Sequence, residues 1–222
     1  MTVLAPLHFA DPREAAALAA FLGRLVHYDR AAAVRLQAGG GALAVFGRPP
    51  SFEVLAIRTA RLVDAVDLDV TVSAGELLEG IEESAGKAVV PESVTGPPWA
   101  GMLPPRAGWR PVAGLPGAAQ MRGAVAAAVA EFRARDEELP EERRTRAERD
   151  RLGRDIWSRT LGATGLPLRA VHAAQSLGFL PPGQEDAPVA LFASGPWLRL
   201  RTPYGSIAVR TAPMGLISVT PG

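Results

Sequence analysis

The chain has 222 residues, 48% of them hydrophobic but only 6% aromatic, with a net charge of +1 and no cysteine. That length suits one large domain or two smaller ones built mainly on Ala, Leu and Val. The missing cysteines exclude disulfides, thiol nucleophiles and thiolate metal ligands. A reducing compartment, the cytoplasm, is the expected location. The first ten residues lack the basic start, apolar run and cleavage site of a signal peptide, and no stretch reaches the roughly 18 apolar residues of a membrane span, so no membrane contact is expected.

Residues Val3 to Phe9 can form a first strand, and Asp11-Pro12-Arg13-Glu14 then supplies an N-cap, a first-turn proline and a glutamate at the third helical position. Ala15, Leu18, Leu22, Leu25 and Val26 recur at helical spacing, leaving Arg13, Glu14 and Arg24 outward. Val34, Leu36 and Ala38 alternate with polar residues before Gly39-Gly40-Gly41 and Leu43 to Phe46, the pattern of a β-hairpin. Phe52 to Arg58 and the alternation Leu68, Val70, Val72 extend the sheet. Ser73 and Glu76 form a second capping box, opening a helix that buries Leu77, Leu78 and Ile81.

From Lys87 to Gly117 the chain is dense in proline and glycine but carries Trp99 and Trp109, which predicts an irregular segment packed on the first lobe rather than a free linker. Met121, Val125, Ala128, Val129 and Phe132 mark an amphipathic helix that ends near Pro140. A second, over Glu141 to Leu161, buries Leu152, Ile156, Trp157 and Leu161, with Glu142/Arg146, Asp150/Arg154 and Asp155/Arg159 as i,i+4 pairs on a solvated face. Pro167 to Leu177 predicts a shorter helix closed by Gly178. Short strands follow at Val189 to Ala193, Leu198 to Thr202, Ser206 to Arg210 and Leu216 to Val219. The expected fold is α+β: an N-terminal mixed or antiparallel sheet with two helices, then a helical segment and a C-terminal β-hairpin region. The expected division is residues 1–116 and 117–222.

His8, His27 and His172 lie on separate elements, and there is no phosphate-binding loop, dinucleotide fingerprint or nucleophile elbow. No metal, cofactor or catalytic residue is assigned. Gly39-Gly40-Gly41 joins two strands and reads as a turn rather than a phosphate cradle.

Two charged features stand out. Asp67, Asp69, Glu76, Glu79, Glu82 and Glu83 lie between Arg61 and Lys87 with no basic residue among them, a candidate acidic interaction face. After Asp186 there is no acidic residue, while Arg199, Arg201 and Arg210 alternate with apolar positions around the turn Pro203-Tyr204-Gly205. A hairpin there projects the three arginines from one face with Tyr204 at its tip as a stacking surface, and Arg169 is a further candidate for anion or nucleic-acid contact.

The order strand, helix, hairpin, strands and helix over about residues 3 to 85 resembles one domain of a DNA sliding clamp. It includes the entry Val70-Thr71-Val72-Ser73-Ala74-Gly75-Glu76-Leu77-Leu78. The helices at 141–161 and 167–177 followed by the arginine hairpin are similar to a winged-helix module, which implies contact with DNA. Arginine in place of lysine, with abundant Ala, Gly and Pro, resembles the composition of proteins from high-GC bacteria, including families without an assigned activity. The leading expectation is a non-catalytic protein-interaction or adaptor role with a protein partner. Nucleic-acid binding through the arginine hairpin is the alternative, and an enzyme of unrecognised type the third reading.

Overall fold

Asp11 starts the first helix as the sequence requires. The computed structural model describes residues 6–211 and begins with β1 (Leu7–His8) and α1 (Pro12–Tyr28). The Asp11 carboxylate accepts from the Arg13 amide at 2.8 Å, and Leu18, Phe21, Leu22 and Leu25 are fully buried. Each such side chain contributes about 1.5–3 kcal/mol by leaving water. Arg13 and Arg24 are exposed, but Glu14 departs from its expected outward position. Its side chain is 20% exposed and faces two arginines of the sheet.

Gly40 and Gly41, with φ of 59° and 77°, make the two-residue turn between β2 (Ala33–Gly39) and β3 (Ala42–Gly47), a backbone that few other residues adopt without strain. β4 (Leu55–Arg61) begins later than the expected Phe52, because Ser51 and Glu53 take left-handed conformations with φ of 69° and 52°. β5 (Leu68–Ser73) leads into α2 (Ala74–Glu79), where the Ser73 hydroxyl accepts from the Glu76 amide at 3.3 Å. That helix is short. It stops at Gly80, so Ile81 enters β6 (Ile81–Glu82), which pairs with β7 (Lys87–Ala88) and through it with β1 in a small sheet.

The Pro/Gly-rich segment packs down as its tryptophans predict. Trp99, in a 3-10 turn at Pro98–Gly101, and Leu103 lie over a second apolar cluster of Phe46, Leu55, Ile57 and Ala208. The segment also supplies β8 (Arg110–Val112), a strand its prolines hide at the level of sequence. Then come α3 (Ala118–Glu137), α4 (Arg146–Trp157) and α5 (Leu168–Ser176), and β9 (Ala190–Ser194), β10 (Trp197–Thr202) and β11 (Gly205–Arg210). The expected helix over 141–161 breaks near Arg144. Thr145 caps α4 by accepting from the Glu148 amide at 3.3 Å, and the helical charges link neighbours across elements: Arg135 meets Asp155 at 2.7 Å and Arg159 meets Glu131 at 2.6 Å. The expected strand residues Val3 to Ala5 and Leu216 to Val219 lie outside the described residues.

The fold is α+β. Eight strands form one antiparallel sheet in the order β5-β2-β3-β4-β11-β10-β9-β8. Alternation assigns its two faces. Val34, Leu36, Val45, Ala56, Leu198, Leu200, Ile207 and Val209 face the helices: α1 lies across β4, α5 packs on β11, and α3 packs on α4 and α5. The other face carries Gln37, Ala44, Phe46, Ile57 and the hairpin arginines. Among the described residues no helix is long and apolar enough to cross a membrane.

Candidate anion-binding site

β4 and β11 pair only from Leu55–Ala208 to Ile57–Ser206. Beyond that point β4 runs on to Arg61, while the hairpin turns back through Pro203 and Tyr204 to β10. The strands part, and at the opening lies a cavity of about 780 Å³ lined by Glu14, Arg58, Trp109, Phe192, Arg199 and Arg201 among others. Its volume falls within the range of roughly 300–1,000 Å³ usual for small-ligand sites.

Arg58 occupies the helix-facing position between Ala56 and Ala60, and its side chain is 13% exposed. Nη1 donates to the Tyr204 carbonyl oxygen, Nη2 stands 3.7 Å from Glu14 Oε2, and Nε is buried with no hydrogen-bond partner among the described residues. Burial pushes the Arg58 guanidinium below its usual value, with the Glu14 carboxylate opposing. Arg199 comes from the opposite face. Its guanidinium carbon lies 5.9 Å from the Trp109 ring centroid, and its Nε is also buried without a partner. Burial first, and the neighbouring Arg201 charge second, lower its affinity for a proton.

Three guanidinium groups and one carboxylate therefore line the cavity, and Glu14 is also 3.7 Å from Arg61. Buried polar hydrogens are seldom left unpaired, and each one that is costs about 1–3 kcal/mol. Arg58 and Arg199, which both line this cavity, each keep one such N–H, and Arg169, outside it, keeps a third. A carboxylate or phosphate in the cavity would offset its excess positive charge.

Register puts Arg199, Arg201 and Arg210 on one face, opposite Ala208, Ser206 and Trp197 respectively. Only Arg199 and Arg201 enter the cavity; Arg210, at the far end of the hairpin, is exposed. Tyr204 does not join them as a stacking tip. The hairpin end folds its ring, half-buried, against the main core, and only its backbone carbonyl reaches Arg58. Arg169 is on α5, on the helical side of the sheet, 3.7 Å from Glu53.

The acidic group disperses. Asp69 accepts from Arg35 Nε at 2.7 Å and from Gln37 at 3.3 Å, and Glu82 pairs with Lys87 at 3.0 Å. Asp67, Glu76, Glu79 and Glu83 are exposed and make no ion pair among the described residues. β5 stands five strand spacings from β10, roughly 24 Å at about 4.8 Å per spacing. Among the described residues no group of three or more His, Asp or Glu side chains is placed to hold a metal ion.

Glu14, Arg58 and Trp109 were not singled out by sequence. A sequence signal existed only for Arg58, the one charge in the buried alternation Ala56, Arg58, Ala60.

Two family models cover the chain. A domain of unknown function, DUF8010, matches residues 3–101, and a second, DUF8185, matches residues 104–214. The chain belongs to the DUF8185 family. The DUF8185 stretch supplies Trp109, Arg199 and Arg201, and the DUF8010 stretch supplies Glu14 and Arg58, so the cavity takes residues from both. Neither description is that of a sliding clamp or a winged helix. Comparison with curated proteins finds no match.

Proposed function

We propose that the chain is a non-catalytic binding protein that recognises its partner through an anionic group received in the arginine cleft. The observation that carries this is that Arg58, Arg199 and Arg201 line one cavity, with the Nε groups of the first two buried and without a hydrogen-bond partner among the described residues. The cleft is organised for charge recognition. Glu14 stands between two arginines, and the Thr202 hydroxyl is already donated to the Gly205 carbonyl at 3.1 Å.

Nucleic-acid binding is the second reading, favoured by the shared face of Arg199, Arg201 and Arg210. The hairpin is the better candidate for such contact than the winged-helix-like α5, because α5 buries Leu168, Ala170, Val171, Ala173 and Ala174. The clamp-like order of the first lobe supplies no basic helix to add to it. Replacing Arg199, Arg201 and Arg210 with alanine and titrating inorganic phosphate and DNA across a salt series separates the two. The first reading expects saturable phosphate binding that is lost in the variant. The second expects DNA affinity whose salt dependence flattens by about one unit of slope per lost phosphate contact. Wild-type protein that binds neither refutes both.

A further inference from the structure

The arginine cavity does not end at Arg199. Thr59 and Arg199 also line a second cavity, of about 370 Å³, on the outer face of the sheet. Its floor includes Ala44, Phe46 and Ile57, and Pro104 and Pro105 form a wall. The two spaces differ in chemistry and meet at Thr59 and Arg199, and the Arg199 Nε has no hydrogen-bond partner among the described residues.

We propose that the two cavities are one site for an organic anion with an apolar body. The carboxylate or phosphate head is held by Arg58, Arg199 and Arg201, and the hydrocarbon lies over Ala44, Phe46 and Ile57 beside Pro104 and Pro105. The proposal rests on the reading of the arginine cleft as an anion site and adds the class of molecule that carries the anion.

Small side chains keep the second space open. Ala42 and Ala44 occupy two of the three outward β3 positions, before Phe46, where a larger residue would close the gap beneath the proline segment. Pro104 and Pro105 add apolar surface without backbone N–H donors. An inorganic anion has no use for this space, and an uncharged hydrocarbon has none for the three arginines. A nucleic-acid strand needs cations repeated along its path, and the second cavity has Arg106 alone to add to Arg199.

The test is calorimetric titration of the full chain with inorganic phosphate, acetate, butanoate, hexanoate, octanoate and octyl phosphate. The wild type and an Ala44→Phe variant that fills the second cavity are compared. Affinity is expected to rise by up to about fourfold per methylene from butanoate to octanoate, and octyl phosphate is expected to bind far more tightly than phosphate. The better of the two eight-carbon probes identifies the head group. Ala44→Phe is expected to abolish the chain-length gain and leave phosphate binding unchanged.

Phosphate binding with carboxylate affinities that ignore chain length overturns the proposal and leaves the anion reading standing; no binding of any anion removes both. Nuclear Overhauser contacts between the octanoate terminal methyl and the Ile57 methyls give a readout in the unaltered protein, independent of whether Ala44→Phe folds. Their absence at saturation also overturns the proposal.

Discussion

Arg58 and Arg199 reach the same cavity from opposite faces of one sheet. Arg58 sits in the helix-facing row between Ala56 and Ala60, and Arg199 in the outward row with Arg201. Two such side chains meet only where strands part, which β4 and β11 do after Ile57–Ser206. The short pairing of these strands is thus what opens one cavity to both side chains.

Arg199 lies over the Trp109 ring with its guanidinium carbon 5.9 Å from the centroid, a placement that suits a planar, delocalised cation better than an ammonium. Arg199→Lys should therefore weaken phosphate binding by about tenfold while moving the melting temperature by less than about 4 °C. Calorimetric titration beside a thermal melt checks both. Unchanged affinity would mean that charge alone matters at this position.

Arg58 is structural as well as ligand-facing, since it donates to the Tyr204 carbonyl and balances Glu14. Arg58→Ala leaves the Tyr204 carbonyl without this donor and Glu14 with Arg61 alone, and should cost about 1–3 kcal/mol. Glu14→Gln in the Arg58→Ala background should cost less than it does alone, because the carboxylate has already lost one of its two arginines. A double-mutant cycle in urea measures the coupling, and strict additivity would contradict it.

Gly205 is required by packing. A Cβ placed on it would stand 2.5 Å from the Phe179 ring, which in turn stacks on Phe21 with centroids 5.6 Å apart. Gly205→Ala should destabilise by about 1–3 kcal/mol, typical of overpacking in a filled core. A melt equal to the wild type would show that the hairpin end shifts freely.

His172 stacks on Trp157 at 4.4 Å and meets the edge of Phe52 at 5.1 Å, and burial lowers its proton affinity. The unfolded chain therefore takes up a proton at higher pH than the folded one. The stabilisation is full above the ordinary histidine value of about 6.5 and is lost as pH falls from there through the lower folded value. His172→Gln should flatten the stability profile in that window. It should leave untouched the acid loss below about pH 4 that comes from Glu131 and Asp155, which Arg159 and Arg135 respectively hold below the usual carboxylate range. Urea unfolding measured across pH tests this, and a slope near pH 6 that survives the substitution would contradict it.

Much of the fold was legible where periodicity and end signals coincide. Asp11-Pro12 begins α1, the glycine turn joins β2 to β3, and the alternation of Leu198 to Thr202 and Ser206 to Arg210 gives the hairpin and the shared face of its arginines. What stayed hidden is non-local. Alternation within a strand does not say which strands become neighbours, so nothing in the sequence places Arg58 beside residues more than 140 positions away, as its bond to Tyr204 does. Glu14 lies on the edge of the α1 stripe, where helical spacing leaves inward and outward nearly equal and a nearby cation decides. Tyr204 read as an exposed tip because turns are exposed on average, but this one folds against the core.

The most direct test follows the two unpartnered nitrogens themselves. Nuclear magnetic resonance of the arginine Nε–H groups, assigned by substitution, should show the Arg58 and Arg199 signals shifting together and becoming protected from exchange as inorganic phosphate is added. The exposed Arg210 should move little. Shifts at Arg210 with Arg58 and Arg199 unmoved would contradict an anion site in the cleft.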